Sequence, residues 1–175
     1  ITRFAEAHRE VSLSAGETPA LNAFPPSTVR AIAEVAERTG PGAQGQGDIT
    51  AIFSVLVAGS DMEEPVADMV RGVLDGHIIL SREISERGRY PAIDVLRSVS
   101  RCLPDAAKPD ENRIIKDYRR TIALYEEIAP MLRANLYERG HDPAGDRSIE
   151  RFPQLDNFVS EPNTGHIPQA FQHLQ

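Results

Sequence analysis

Apolar residues recur along this chain with two different periods. Between residues 2 and 15, Phe4, Ala7, Val11 and Ala15 share one face of a helix, and Gly16 ends it. Thr18–Pro26 carries three prolines and reads as a loop. Ser27 is placed to cap a second helix bearing Val29, Ile32, Ala33, Val35 and Ala36, which closes at Gly40. Ile49–Val57 breaks that rhythm. It is β-branched, aromatic and almost continuously apolar, the pattern of a strand covered on both faces in a parallel sheet. Val66, Met69, Val70, Val73 and Leu74 restore a helical stripe. His77–Leu80 is a short strand, and Ser81 caps a brief helix that ends at Gly88.

After Cys102 the rhythm is helical throughout. Leu103–Asp110 contains two prolines and reads as a linker. Ile115, Tyr118, Ile122, Tyr125, Ile128, Leu132 and Leu136 trace a long amphipathic helix with a bend expected at Pro130. Gly140–Gly145 is a turn. Ile149, Phe152, Leu155, Phe158 and Val159 mark a partner helix over Asp146–Ser160, interrupted at Pro153. Pro162–Gln175 is expected to be weakly ordered. The pattern predicts an alternating β/α part over residues 1–102 and a helical domain over 103–175.

Composition removes several classes of function. With 19 Lys+Arg against 26 Asp+Glu the 175-residue chain carries a formal charge of −7. It is not a general nucleic-acid coat, because phosphate neutralisation needs clustered basic residues. No apolar run approaches the ~18–20 residues of a membrane span. The single cysteine, Cys102, rules out an internal disulfide and fits a small core residue. His8, His77, His141, His166 and His173 show no metal-ligand spacing, and His77 reads as a strand-edge residue. Lys108 and Lys116 are the only lysines, and neither follows a glycine. The chain therefore holds no Gly-Lys-Ser/Thr loop to cradle a phosphate. The Gly40–Gly47 loop, four glycines in eight residues, reads as a mobile interface loop. The chain opens on Ile1, inside the run-up to a helix, as a fragment of a longer protein would.

Several blocks share a register. They are Thr2-Arg3-Phe4-Ala5, Phe24-Pro25-Pro26-Ser27, Gly47-Asp-Ile-Thr50, Gly59-Ser-Asp-Met-Glu-Glu-Pro65, Asp75-Gly-His-Ile-Ile-Leu-Ser-Arg82, Arg89-Tyr-Pro-Ala-Ile-Asp-Val95, Ser98-Val-Ser-Arg101, Tyr125-Glu-Glu127 and Gly140-His-Asp-Pro143. Together they resemble the flagellar and type III secretion export ATPases, relatives of the catalytic subunits of rotary ATP synthases. The resemblance covers about residues 1–160. It implies the C-terminal half of a RecA-like, parallel-sheet nucleotide-binding domain, followed by a helical C-terminal domain. The P-loop, the general-base Glu and the Walker B Asp that positions Mg2+ then lie upstream of this sequence. No metal ligand is expected within it.

The same resemblance gives roles to individual residues. Arg101 matches an arginine finger supplied to the neighbouring subunit of a ring. Such a guanidinium stabilises the charge of phosphoryl transfer and is worth ~10³–10⁵ in rate. By its residue type alone it could equally pair with a carboxylate at the domain junction. Tyr90, stiffened by Pro91, matches the tyrosine that stacks on adenine of ATP; the plainer reading is a ring capping the sheet edge. Asp61, Met62, Glu63 and Glu64 match a pore-facing loop that meets a coiled-coil stalk protein or export substrate. As a solvated acidic turn they also suit the helix N-terminus that follows. Gly140–Asp146 matches a stalk-touching tip, or is a plain hairpin turn. Phe171 stands near where relatives carry further pocket aromatics, but aligns poorly.

For the whole protein the resemblance implies ATP hydrolysis in a homohexamer, coupled to protein export. The ring would be cytoplasmic and peripheral to a membrane export gate. It would engage a stalk protein and export substrates with their chaperones, and no nucleic acid. The injectisome counterpart of the flagellar enzyme shares every block quoted. A non-hydrolysing ring adaptor is the alternative of another class.

Overall fold

The computed structural model describes residues 1–20, 24–60, 62–162 and 165–174. They form two compact units, Ile1–Asp75 and Gly76–Gln175.

In the first unit, helix α1 (Thr2–Ser14), helix α2 (Pro26–Glu37) and helix α3 (Pro65–Val73) pack around Ala5, Phe24, Ile32, Val66 and Val70. The predicted helices are present, but Ser27 does not cap α2. The helix starts one residue earlier, at Pro26, with Pro25 as its N-cap. Glu17 reaches in from the preceding loop instead. Its Oε1 accepts from the Ser27 backbone N–H at 3.0 Å, and its Oε2 accepts from the Ser27 hydroxyl. Those hydrogen bonds hold the Glu17 carboxyl below its ordinary pKa. The chain of hydroxyls continues to Ser12, His8 and Thr28, tying α1 to α2. The Gly40–Gly47 loop is closed: Gly40 and Ile49 exchange both backbone hydrogen bonds at 2.9 Å, and Asp48 Oδ1 accepts from Gly42 N–H.

Ile49–Val57 is a correction to the sequence reading. It forms no strand, and its one bridge is Ile49 to Gly40. Ile52 is 94% exposed and Leu56 58%. An extended segment becomes a strand only when neighbours complete its ladder. Here Thr2 supplies part of one, its Oγ1 accepting from Leu56 N–H at 2.9 Å.

The second unit opens on strand β1 (Gly76–Leu80), helix α4 (Arg82–Glu86) and strand β2 (Ile93–Ser100), paired as a two-stranded antiparallel sheet. No parallel pair occurs among the described residues. Gly76 is required at its position: a Cβ there would lie 2.5 Å from the Val99 carbonyl oxygen. Helix α5 (Pro109–Arg133) and helix α6 (Pro143–Ser160) form a hairpin. It is centred on Tyr118, Ile122 and Leu155, with Tyr125 stacked on Phe152 at 3.6 Å between ring centres. Tyr118 donates its hydroxyl to the Leu155 carbonyl at 2.9 Å. Burial pushes its pKa up to about 12. Pro130 lies inside α5, which ends three residues later; Asn135 follows in the left-handed region, at φ 55°.

Two further expectations are corrected. Cys102 is exposed, because the chain leaves β2 there and enters a turn. Pro162–Gln175 is not uniformly weak: helix α7 (Ile167–His173) forms in it, and Leu174 packs against the hairpin core. Asn163, Thr164 and Gln175 lie outside the described residues.

Candidate functional site

Tyr90 and Arg101 flank β2 at opposite ends, both in the second unit. Tyr90 is 63% exposed, and its hydroxyl meets Ser85 Oγ at 2.8 Å. The ring therefore presents a face to solvent while its polar end is held by α4. Its neighbour Arg89 does the holding on the other side. That guanidinium donates to the carbonyls of Pro91 at 3.0 Å and Ile93 at 2.8 Å, and pairs with Asp156 on α6 at 3.1 Å. The Arg89 side chain is only 14% exposed. The sequence block that carries Arg89 gives it no role of its own. The signal was a cation beside a stiff Tyr-Pro, with its carboxylate 67 residues away and invisible from the sequence.

Arg101 is exposed at the start of the turn that follows β2. The strand leading to it is irregular. Gly76 pairs with Ser100 and His77 with Val99, but Ile79 pairs with Asp94. One residue of β1, Ile78, thus faces four of β2, Val95–Ser98. In such a bulge the backbone groups leave the ladder and need other partners. All four carbonyls have them. Arg119, from α5, donates Nη1–H to Val95 at 2.6 Å and Ser98 at 3.1 Å, and Nη2–H to Leu96 at 2.7 Å. His77 Nε2 lies 3.2 Å from the Arg97 carbonyl oxygen. The Ser98 hydroxyl donates to the Asp94 carbonyl at 2.5 Å and accepts from Ile79 N–H at 3.0 Å. The first serine of the Ser-x-Ser-Arg segment is thus spent on the bulge.

The acidic loop belongs to the first unit. Asp61 lies outside the described residues. Glu64 Oε1 accepts from Ala58 N–H at 3.0 Å, folding the loop back on itself. The Met62 carbonyl accepts from Arg71 Nη1–H at 3.3 Å. Glu63 is exposed. At the other candidate tip the carboxylates serve the turn. Asp142 Oδ1 caps α6 at Ala144 N–H, and Asp146 accepts from Gly140 N–H and the Tyr137 hydroxyl. Gly145 is buried there, and a Cβ on it would lie 2.6 Å from the Tyr137 hydroxyl.

A cleft of about 340 Å³ runs between α4, β2 and the α5–α6 hairpin, with Glu126 and Asp94 in its wall. Burial, then the Asp94 charge, raises the Glu126 pKa. Among the described residues no cluster of His, Cys, Asp or Glu could hold a metal ion. None of the described helices is long and apolar enough to cross a membrane.

Comparison with known proteins covers nearly the whole chain. Residues 1–100 match the family model "ATP synthase alpha/beta family, nucleotide-binding domain", and residues 107–171 match "T3SS EscN ATPase C-terminal domain". The SPI-2 type 3 secretion system ATPase of Salmonella typhimurium is 44% identical over 92% of this chain and 37% of its own length. The flagellum-specific ATP synthase of Caulobacter vibrioides is 42% identical, with the same coverage. Among solved structures, the assembled ATPase EscN of enteropathogenic E. coli superposes with a TM-score of 0.92 at 33% identity, over 99% of this chain and 42% of EscN. EscN in complex with its central stalk EscO gives a TM-score of 0.86 at the same identity, over 99% of this chain and 41% of that one. The chain thus spans about two fifths of the length of the relatives it matches.

Proposed function

The chain belongs to the ATP synthase alpha/beta family, and from that premise we propose that it is the C-terminal part of a flagellar-type export ATPase subunit. Residues 1–102 complete the RecA-like nucleotide-binding domain, and residues 103–175 form the helical C-terminal domain. The whole subunit hydrolyses ATP with Mg2+, whose ligands lie in the N-terminal part of that subunit. It works as a homohexamer in the cytoplasm, peripheral to a membrane export gate. Its pore loop, Asp61 to Glu64, faces the stalk protein, export substrates and their chaperones. Tyr90 stacks on adenine. Arg101 is the finger offered to the nucleotide of the next subunit. The observation that carries this reading is the exposure of both side chains at the two ends of one braced strand. A finger must reach outward, and a stacking ring must keep a face open.

In the complete subunit, Arg101→Ala should cut turnover by ~10³-fold or more while nucleotide affinity stays nearly unchanged. Tyr90→Ala should weaken nucleotide binding by ~1–3 kcal/mol. If both variants keep wild-type kinetics, both assignments fail. The isolated chain should show no ATPase activity; steady turnover above buffer would refute the fragment reading. A second reading, the injectisome enzyme, is favoured by the identity to the SPI-2 ATPase and by the EscN C-terminal match. Deleting the gene separates them: loss of motility supports the first, and loss of effector secretion with intact motility supports the second.

A further inference from the structure

The bulge in β2 has a consequence for the segment behind it. Four consecutive residues, Val95 to Ser98, fall within the register shift just before Val99-Ser100-Arg101, and the carbonyls of all four are met by side chains. Three of them converge on one guanidinium from a different element, Arg119 of α5. Arginine suits this task. Its planar fork carries five donors in fixed directions, and each bond from a cation to a carbonyl is stronger than a neutral one. A lysine at the same place would offer a point charge and could not span three acceptors in that geometry. Arg119 is half-buried and sits next to Tyr118, whose ring and hydroxyl are fixed in the α5–α6 core. The stretch of α5 backbone that carries Arg119 is therefore held by the hairpin.

We propose that Arg119 is a positioning residue for the arginine finger: it fixes the β2 bulge so that the segment Ser98–Arg101 leaves the sheet in one direction. The inference rests on the reading of Arg101 as the finger. Among the described residues, the hydrogen bonds of Arg119 all go to backbone carbonyls of β2. The reach of a finger to a transferring phosphoryl group tolerates little error, since a misplacement of ~1 Å can cost ~100-fold in rate. Substitution of Arg119 leaves three acceptors without their donor, and the bulge is then free to settle in other ways.

The test uses the complete, assembled subunit carrying Arg119→Ala or Arg119→Lys, each with and without Arg101→Ala. Arg119→Ala is expected to lower kcat by ~10–100-fold with KM for ATP within about twofold. Arg119→Lys is expected to fall between it and wild type. On the Arg101→Ala background, Arg119→Ala should change turnover by less than about twofold, because the two act as one unit. Amide exchange over Val99–Arg101 should quicken by ~10-fold in Arg119→Ala, while exchange in α6 and where Ile79 and Leu80 pair with Asp94 and Ile93 is unchanged. A folded Arg119→Ala with wild-type kcat overturns the proposal. So does an equal loss on the Arg101→Ala background, or a raised KM at constant kcat. If Arg119→Ala does not fold, Arg119→Lys decides: wild-type kcat and wild-type exchange in that variant overturn the proposal. The two readings fail separately. Full turnover in Arg101→Ala removes the finger, whereas loss in Arg101→Ala with none in Arg119→Ala removes only the positioning role. The exchange measurement reports on the brace whichever is found.

Discussion

Ile49–Val57 and Ile93–Ser100 are written in a similar alphabet and have different fates. Both mix β-branched residues with leucine and serine, and both run into a turn that bears a candidate functional group. Only the second is a strand. It has β1 beside it, and where it departs from β1 it has Arg119 and His77. The first has one bridge to Gly40, the Ile1 amino group on the Ser54 carbonyl and one threonine side chain at Leu56, and no strand beside it. Side-chain pattern expresses a preference for extended backbone, while strand formation depends on who answers the N–H and C=O groups. The turn after β2 leaves a braced strand. The loop after Val57 leaves an extended segment held only at a few points, and is itself tied by Glu64 and by Arg71 from α3.

The largest expected effect tests why Ile49–Val57 lacks neighbours. Ile52 is 94% exposed here, so Ile52→Lys should shift the stability of this chain by no more than ~0.5 kcal/mol. In the complete subunit, where the proposed RecA-like sheet covers it, the same change should cost ~2–5 kcal/mol, since it buries an unpaired charge. Urea denaturation of both proteins makes the comparison, and equal small effects would place Ile52 at a true surface. The next effect is on β2. Gly76→Val drives a side chain into the Val99 carbonyl and should cost ~1–3 kcal/mol, with faster amide exchange over Ile93–Ser100 and none over Ile49–Val57. The smallest effect at neutral pH concerns the core behind Arg119. Tyr118 has its pKa raised to about 12 from 10.0 by burial. A raised folded-state pKa means its contribution is whole below about pH 10 and is lost as pH climbs through about 12. Thermal melting should therefore decline across that window in wild type and less steeply in Tyr118→Phe. A parallel decline in both would place the alkaline loss elsewhere.

Much of the helical structure was legible before any coordinates. Among the described residues, apolar periods, caps and breakers place each of the α-helices α1 to α6, and Ser81 caps α4 as expected, accepting from Ile84 N–H at 3.4 Å. The candidate residues Tyr90 and Arg101 were legible too, because each sits in a block with its own signature. Their supports were not. Arg89 finds Asp156, and Arg119 finds Val95 and Leu96 from 24 and 23 residues away. Ser27 has the residue type of a cap for α2, but the N-cap is Pro25 and the Ser27 N–H is answered by Glu17, ten residues back. The size and apolar character of Cys102 suit a core, but its exposure follows from its place at the exit of β2.

Local order could be read from this chain because a helix closes its hydrogen bonds within four residues, so its periodicity, breakers and most caps are all nearby text. The strands, the bulge and the braces on Tyr90 and Arg101 belong to the folded molecule. The β2 carbonyls answered by Arg119, and the Asp156 carboxylate answered by Arg89, meet donors tens of residues distant, and the packing of α5 and α6 near β2 brings those donors within reach.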